Sequence, residues 1–202
     1  MKTYDLKKQF KAYYTASGKQ PVMVQLPALQ FLMLDGQGDP NEKAFQAGVE
    51  TLYSIAYTLK FMLKKAELAD YPVMPLEGLW WMDDMRAWSL EKRHLWKWTI
   101  MIMQPECVNP DNFHEGAQLA AKKKPLPLLP KLRLEKYAEG SCAQILHVGP
   151  YADEGPAIRR LHEFIHAQGL DLRGKHHEIY LGDPRRSAPE KLKTILRQGA
   201  GQ

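Results

Sequence analysis

Apolar positions along this chain switch between two periods, and the switch happens in the same order twice. Residues 22–34 are rich in β-formers and close on Asp35-Gly36, which predicts a strand and a turn. From Pro40 to Leu63 the apolar side chains take helical spacing, with Phe45, Val49, Leu52, Tyr53, Ala56, Leu59 and Leu63 on one face. Tyr71–Met82 and Leu95–Met103 return to strand-like alternation, the second stopped by Pro105. A helix is predicted over Asn109–Ala121. The run from Lys122 to Pro130 then places three prolines in six residues and reads as an extended connector. After it come a strand (Ser141–Val148), a helix (Glu154–Gln168, with Ile158, Leu161, Phe164 and Ile165 inward and Gly169 closing it), and strands at Lys175–Leu181 and Lys191–Arg197.

This recurrence predicts an α+β fold of duplicated strand–helix–strand–strand units with antiparallel sheets. The expected organisation is a basic N-terminal segment (1–20) and a domain at 21–198. Within the domain lie repeat one (21–105), a connecting helix and Pro-rich linker (106–130), and repeat two (131–198). Glu77 of the first repeat corresponds to Glu178 of the second, and Thr99-Ile100 to Thr194-Ile195. Each unit can bury one sheet face under its helix and leaves the other open. Two of them side by side predict a central ligand cleft.

Composition narrows the class. With 45% hydrophobic residues, 9 Tyr, 6 Phe and 5 Trp, the chain is rich enough in apolar surface to fold. No stretch approaches a membrane span, and the start lacks a signal-peptide core. Cys107 and Cys142 are the only cysteines and have no CxxC spacing, so the expected location is the cytoplasm. The net charge of +5 is unevenly spread: residues 1–20, 122–136 and 185–202 carry the basic excess, while 21–121 and 137–184 are acidic. A groove for phosphates puts Lys and Arg inside the folded elements, so the pattern argues against nucleic acid as a partner.

Alternation in Tyr71–Met82 puts Glu77 on a face with Val73, Pro75, Leu79 and Trp81. In Lys175–Leu181 it puts Glu178 with His176 and Tyr180, and His177 with Ile179 and Leu181. Two carboxylates among aromatics, facing one cleft, would suit an aromatic cation or acid–base work on a neutral molecule. The plainer alternative is a pair of half-exposed strand carboxylates facing water. His162-Glu163-Phe164-Ile165-His166 matches a short zinc motif, but Leu172 stands where a longer motif needs a third His, and Phe164 and Ile165 belong to the core stripe. His162 and His166 are therefore expected to face solvent, with no metal bound. There is no GxSxG, P-loop or GxGxxG. Asp35–Pro40 reads as a strand-to-helix turn, with Asp39 or Asn41 as cap. Of Trp80, Trp81, Trp88, Trp96 and Trp98, one or two are expected to line the cleft.

Several runs resemble the GyrI-like small-molecule-binding family: Phe31–Pro40, Tyr57–Phe61, Pro75–Trp81, Gln144–Tyr151 and Lys175–Pro184. The likeness spans residues 20–198 and is to the stand-alone two-repeat branch, without a DNA-binding helix-turn-helix in front. It implies the duplicated fold with a central cleft lined by aromatic and acidic groups. In regulators using this domain, a Glu at the position of Glu178 lies in the pocket for planar, often cationic drugs. Stand-alone members hydrolyse cyclopropanoid DNA-alkylating compounds, a detoxification. Carried over, the resemblance implies Glu77 and Glu178 as an acid–base pair. It implies Tyr57, Trp80, Trp81, Tyr151, Tyr180 and His176 as ligand-binding residues, and no cofactor. Planar aromatic or cationic small molecules are the implied partners, and the expectation leans toward an enzyme opening a cyclopropane by water addition. A non-catalytic multidrug-binding or sequestering protein is the alternative; DNA gyrase as partner is a more distant one.

Overall fold

The computed structural model describes residues 1–202. Its elements in chain order are β1 (Lys2–Thr3), α1 (Leu6–Gln9), β2 (Val22–Gln37), α2 (Lys43–Lys65), β3 (Ala69–Asp70), β4 (Leu76–Trp81), β5 (Lys97–Gln104), α3 (Pro110–Lys123), β6 (Arg133–Val148), α4 (Gly155–Ala167), β7 (Asp171–Tyr180) and β8 (Lys193–Gly201). The strand–helix–strand–strand order recurs as β2-α2-β4-β5 and β6-α4-β7-β8, and the fold is α+β with antiparallel pairing throughout the main strands. No helix is long and apolar enough to cross a membrane.

Two compact units form, and they do not follow the repeats. One contains residues 1–9, 29–74 and 81–137; the other contains 10–28, 75–80 and 138–202. In the first, the end of β2 pairs with β5 from Gln30 opposite Gln104 to Gln37 opposite Lys97. Phe31–Leu34 and Ile100–Met103 are buried there. Helix α2 packs on β5 and α3. The approach is close because Gly116 of α3 faces Leu59, where a Cβ would stand 2.6 Å from Leu59 Cδ2. Trp98 lies across Gly36 and meets the Phe45 ring edge-on at 5.2 Å. Trp88 and Trp96 stack on each other at 4.2 Å.

In the second unit, β4 pairs with β7, β7 with β8, and β8 with β6, all antiparallel. Helix α4 covers one sheet face, pressing Leu161 and Ile165 onto Ala143, Ile145, Leu196 and Ala200. Gly169 at φ +72° ends the helix. Residues from the first twenty are built into this unit. Ser17 O accepts from Leu146 N at 3.0 Å, and the Gln144 amide donates to Ala12 O and Thr15 O.

Element boundaries differ from the sequence reading for identifiable reasons. Helix α3 runs on through the lysines to Lys123, since Lys is a good helix former and the prolines begin only at Pro125. Strand β4 is shorter than Tyr71–Met82 because Pro72 and Pro75 cannot donate to a ladder. Strand β6 starts at Arg133 instead of Ser141, where pairing overrides a charged, weakly β-forming run. The expected cap of α2 is absent: Glu42 is the N-cap residue and makes no side-chain cap, while Asp39 Oδ1 instead accepts from Asn41 N at 2.8 Å.

Candidate active site

Strand register decides which side chains can work together. Glu77 stands opposite Ile179, and Gly78 opposite Glu178. Directly opposed residues project to the same face. Glu178, Tyr180, His176 and Trp80 therefore share one face of the β4–β7 pair, and Glu77, Leu79, His177 and Ile179 share the other. The expectation that Glu77 and Glu178 face one cleft does not hold. Alternation within each strand was read correctly, but the register places the two carboxylates back to back across the sheet.

On the first face a hydrogen-bond chain converges on Glu178. Trp80 Nε1 donates to Tyr180 Oη at 3.0 Å, and Tyr180 Oη donates to Glu178 Oε2 at 2.7 Å. His176 Nε2 lies 3.4 Å from Glu178 Oε1, a close contact without hydrogen-bond geometry. The ring of Tyr151 meets that of Tyr180 edge-on at 5.6 Å. Burial, reinforced by the Glu178 carboxylate, holds the Tyr180 phenol well above its ordinary range, so it stays a donor.

A second carboxyl joins from the start of α4. Glu154 is only 3% exposed, makes no helix-capping bond, and lies close enough to Glu178 to interact electrostatically. Burial first, then the Glu178 charge, pushes its pKa up to about 9. At neutral pH Glu154 therefore carries a proton beside an acceptor, the arrangement that divides acid from base between two like groups. Sequence reading missed Glu154 because an acidic residue before a helix signals a cap; only its failure to cap and its burial single it out.

The opposite face holds a closed charge network. Tyr14 donates to Glu77 Oε1 at 2.6 Å, and His177 bridges Glu77 Oε2 at 2.9 Å and Glu139 Oε2 at 2.8 Å. Arg197 contacts Glu139 at 3.5 Å and donates to Gln144 Oε1 at 3.0 Å. With a carboxylate on each ring nitrogen, His177 donates from both and is an imidazolium. Burial opposes that charge, but Glu139 and Glu77 outweigh it and raise the pKa. Burial likewise works against ionised Glu139, and His177 and Arg197 overcome it. Two carboxylates and two cations leave the network neutral. Arg197 in an apolar strand was a legible signal that a buried acid awaited it; Tyr14, in a segment without pattern, was not.

The remaining candidates are dispersed. Trp81 and Tyr57 belong to the other unit, where Tyr57 is 47% exposed and stacks between Tyr53 and Phe61 along α2. His166 is exposed, as expected. His162 is not: its Nε2 is buried on the flank of α4, and burial, with His176 and His166 nearby, lowers its pKa to about 4. No group of three or more His, Cys, Asp or Glu side chains is arranged to hold a metal ion.

A family model for the GyrI-like small molecule binding domain matches residues 19–198. The chain belongs to this family. Among solved structures, this GyrI-like protein is similar to an uncharacterized conserved protein from Listeria innocua, at 38% identity and TM-score 0.91, covering 98% of this chain and 99% of that one. It is also similar to a hydrolase from Listeria innocua at 37% identity, TM-score 0.86 and the same coverage. A further Listeria innocua hydrolase structure matches at 37% identity and TM-score 0.90, over 99% of this chain and 100% of that one. No curated protein matches.

Proposed function

We propose that this GyrI-like protein binds planar aromatic molecules beside Trp80, Tyr151 and Tyr180 and adds water to the strained cyclopropane of cyclopropanoid DNA-alkylating compounds. The observation that carries the reading is the buried Glu154–Glu178 pair, with Glu154 held protonated, at the end of the Trp80–Tyr180 hydrogen-bond chain. Likeness to hydrolases over nearly the whole chain supports turnover as well as binding. A spirocyclopropane conjugated to a dienone gains aromaticity when it opens. The reaction needs a base for water and a donor for the developing phenolate. Glu178 is the base and Glu154 the acid, in place of the Glu77–Glu178 pair; Glu77 instead stabilises the strand that carries Trp80.

Incubating the purified protein with a cyclopropanoid alkylator and looking for a mass gain of one water tests the reading. Glu178→Gln and Glu154→Gln should each slow single turnover about 10²–10⁴-fold while a neutral substrate still binds. Binding with an unchanged product spectrum in the wild type would leave a sequestering protein.

A further inference from the structure

Water is the second substrate of the proposed hydrolysis, and three buried atoms on the Glu178 face have no hydrogen-bond partner within the protein: Glu154 Oε1, Thr194 Oγ1 and His176 Nε2. Each lies beside Glu178 or Glu154. Thr194 stands opposite Tyr180 in the β7–β8 register and so projects to the same face as Tyr180 and Glu178. Glu154 lies close enough to interact with both Thr194 and Glu178. His176 Nε2 is 3.4 Å from Glu178 Oε1.

Buried polar atoms in folded proteins are almost always satisfied, and an ordered water needs two to four polar partners. The geometry points to a water-binding site formed by Thr194 Oγ1 and Glu154 Oε1, which holds the attacking water against Glu178. The inference rests on the hydrolase reading and locates its nucleophile. Glu178 takes a proton from this water as its oxygen bonds to the cyclopropane carbon. The carbon–carbon bond of the ring breaks, its electron pair enters the dienone, and the resulting phenolate oxygen receives the proton of Glu154. Proton transfer from Glu178 to Glu154 then restores both groups, so one water is added and no proton is gained or lost. Thr194 bonds to the water through a hydroxyl that does not titrate, which makes it the residue to test.

The experiment has two arms. In a crystal structure of the wild type, an ordered water should lie within hydrogen-bond distance of Thr194 Oγ1 and Glu154 Oε1, and Thr194→Val should lose it. In single-turnover hydrolysis of a cyclopropanoid alkylator, Thr194→Val should be about 10–100-fold slower with its dissociation constant within about twofold of wild type. Thr194→Ser should restore the rate. No ordered water at this place in the wild type, or a Thr194→Val variant as fast as wild type, overturns the proposal. So does a rate and affinity loss in Thr194→Val that Thr194→Ser does not repair, which would mark a packing role only. If the wild type adds no water to the alkylator, the hydrolase reading falls by itself, and the crystallographic arm still decides whether the water site exists.

Discussion

At Gly78 the missing side chain is what gives the Trp80–Tyr180 contact its room. A Cβ there would stand 2.7 Å from Trp80 Nε1 and 3.1 Å from Tyr180 Oη, so the two ends of a 3.0 Å hydrogen bond would both have to move. Gly78→Ala should weaken binding of a planar aromatic ligand by about tenfold and cost about 1–3 kcal/mol of stability; tryptophan-fluorescence titration and urea denaturation measure both. Glu154 poses the opposite bargain between function and stability. Its folded pKa, about 9, lies above the ordinary carboxyl value, so the folded state binds a proton that the unfolded chain has released. Stability therefore falls as pH rises through the interval up to about 9. Glu154→Gln keeps the shape and removes the titration, so its melting temperature should exceed that of wild type at pH 8 and match it near pH 4, even as turnover collapses. Thermal melts of both proteins across that range give the answer.

Strand β8 couples the two faces of the second unit, since Thr194 and Leu196 point one way and Thr194's strand neighbours Ile195 and Arg197 the other. Arg197 is 2% exposed and holds Glu139, Gln144 and the carbonyl of Tyr13 together. Replacing it by Met leaves Glu139 buried beside His177 without its second cation, which should cost about 3–5 kcal/mol in urea denaturation. The same network sets a pH window. His177, raised, supports the fold until pH climbs through its folded pKa; Glu139, lowered, supports it until pH falls through its own. Here the limit of sequence reading is physical. Period-two alternation identified β4 and β7 and the sides of each strand. Which side of β4 meets which side of β7 depends on register, and a slip of one residue exchanges the faces. Glu77 and Glu178 were expected to face one cleft, and the register alone sets them on opposite faces.

For the molecule as a whole, the repeat order and the α+β class were legible because both rest on local periodicity, which each segment carries in itself. Glu154, Thr194 and Tyr14 were not, because their importance comes from what long-range pairing buries beside them. The N-terminal segment shows this most sharply. The family model begins at residue 19, and residues 1–20 look like a basic tail, yet Ala12, Tyr13, Tyr14 and Thr15 bond to buried side chains of the second unit and Ser17 to the backbone of β6. Removing residues 1–20 would strip Gln144 of two carbonyl acceptors, Arg197 of one and Glu77 of its phenol donor. Each buried group left unpaired costs about 1–3 kcal/mol, more where it is charged. Three such groups, two of them charged, put the loss in the range of the whole stability of a typical domain, about 5–15 kcal/mol. A chain starting at Pro21 should therefore lose its cooperative urea transition and show a collapsed near-ultraviolet circular dichroism signal. Tyr14→Phe, which removes one bond and keeps the ring, should fold and unfold at a lower urea midpoint. A truncated chain that melts cooperatively near the wild-type midpoint would mean that these contacts decorate the fold without supporting it.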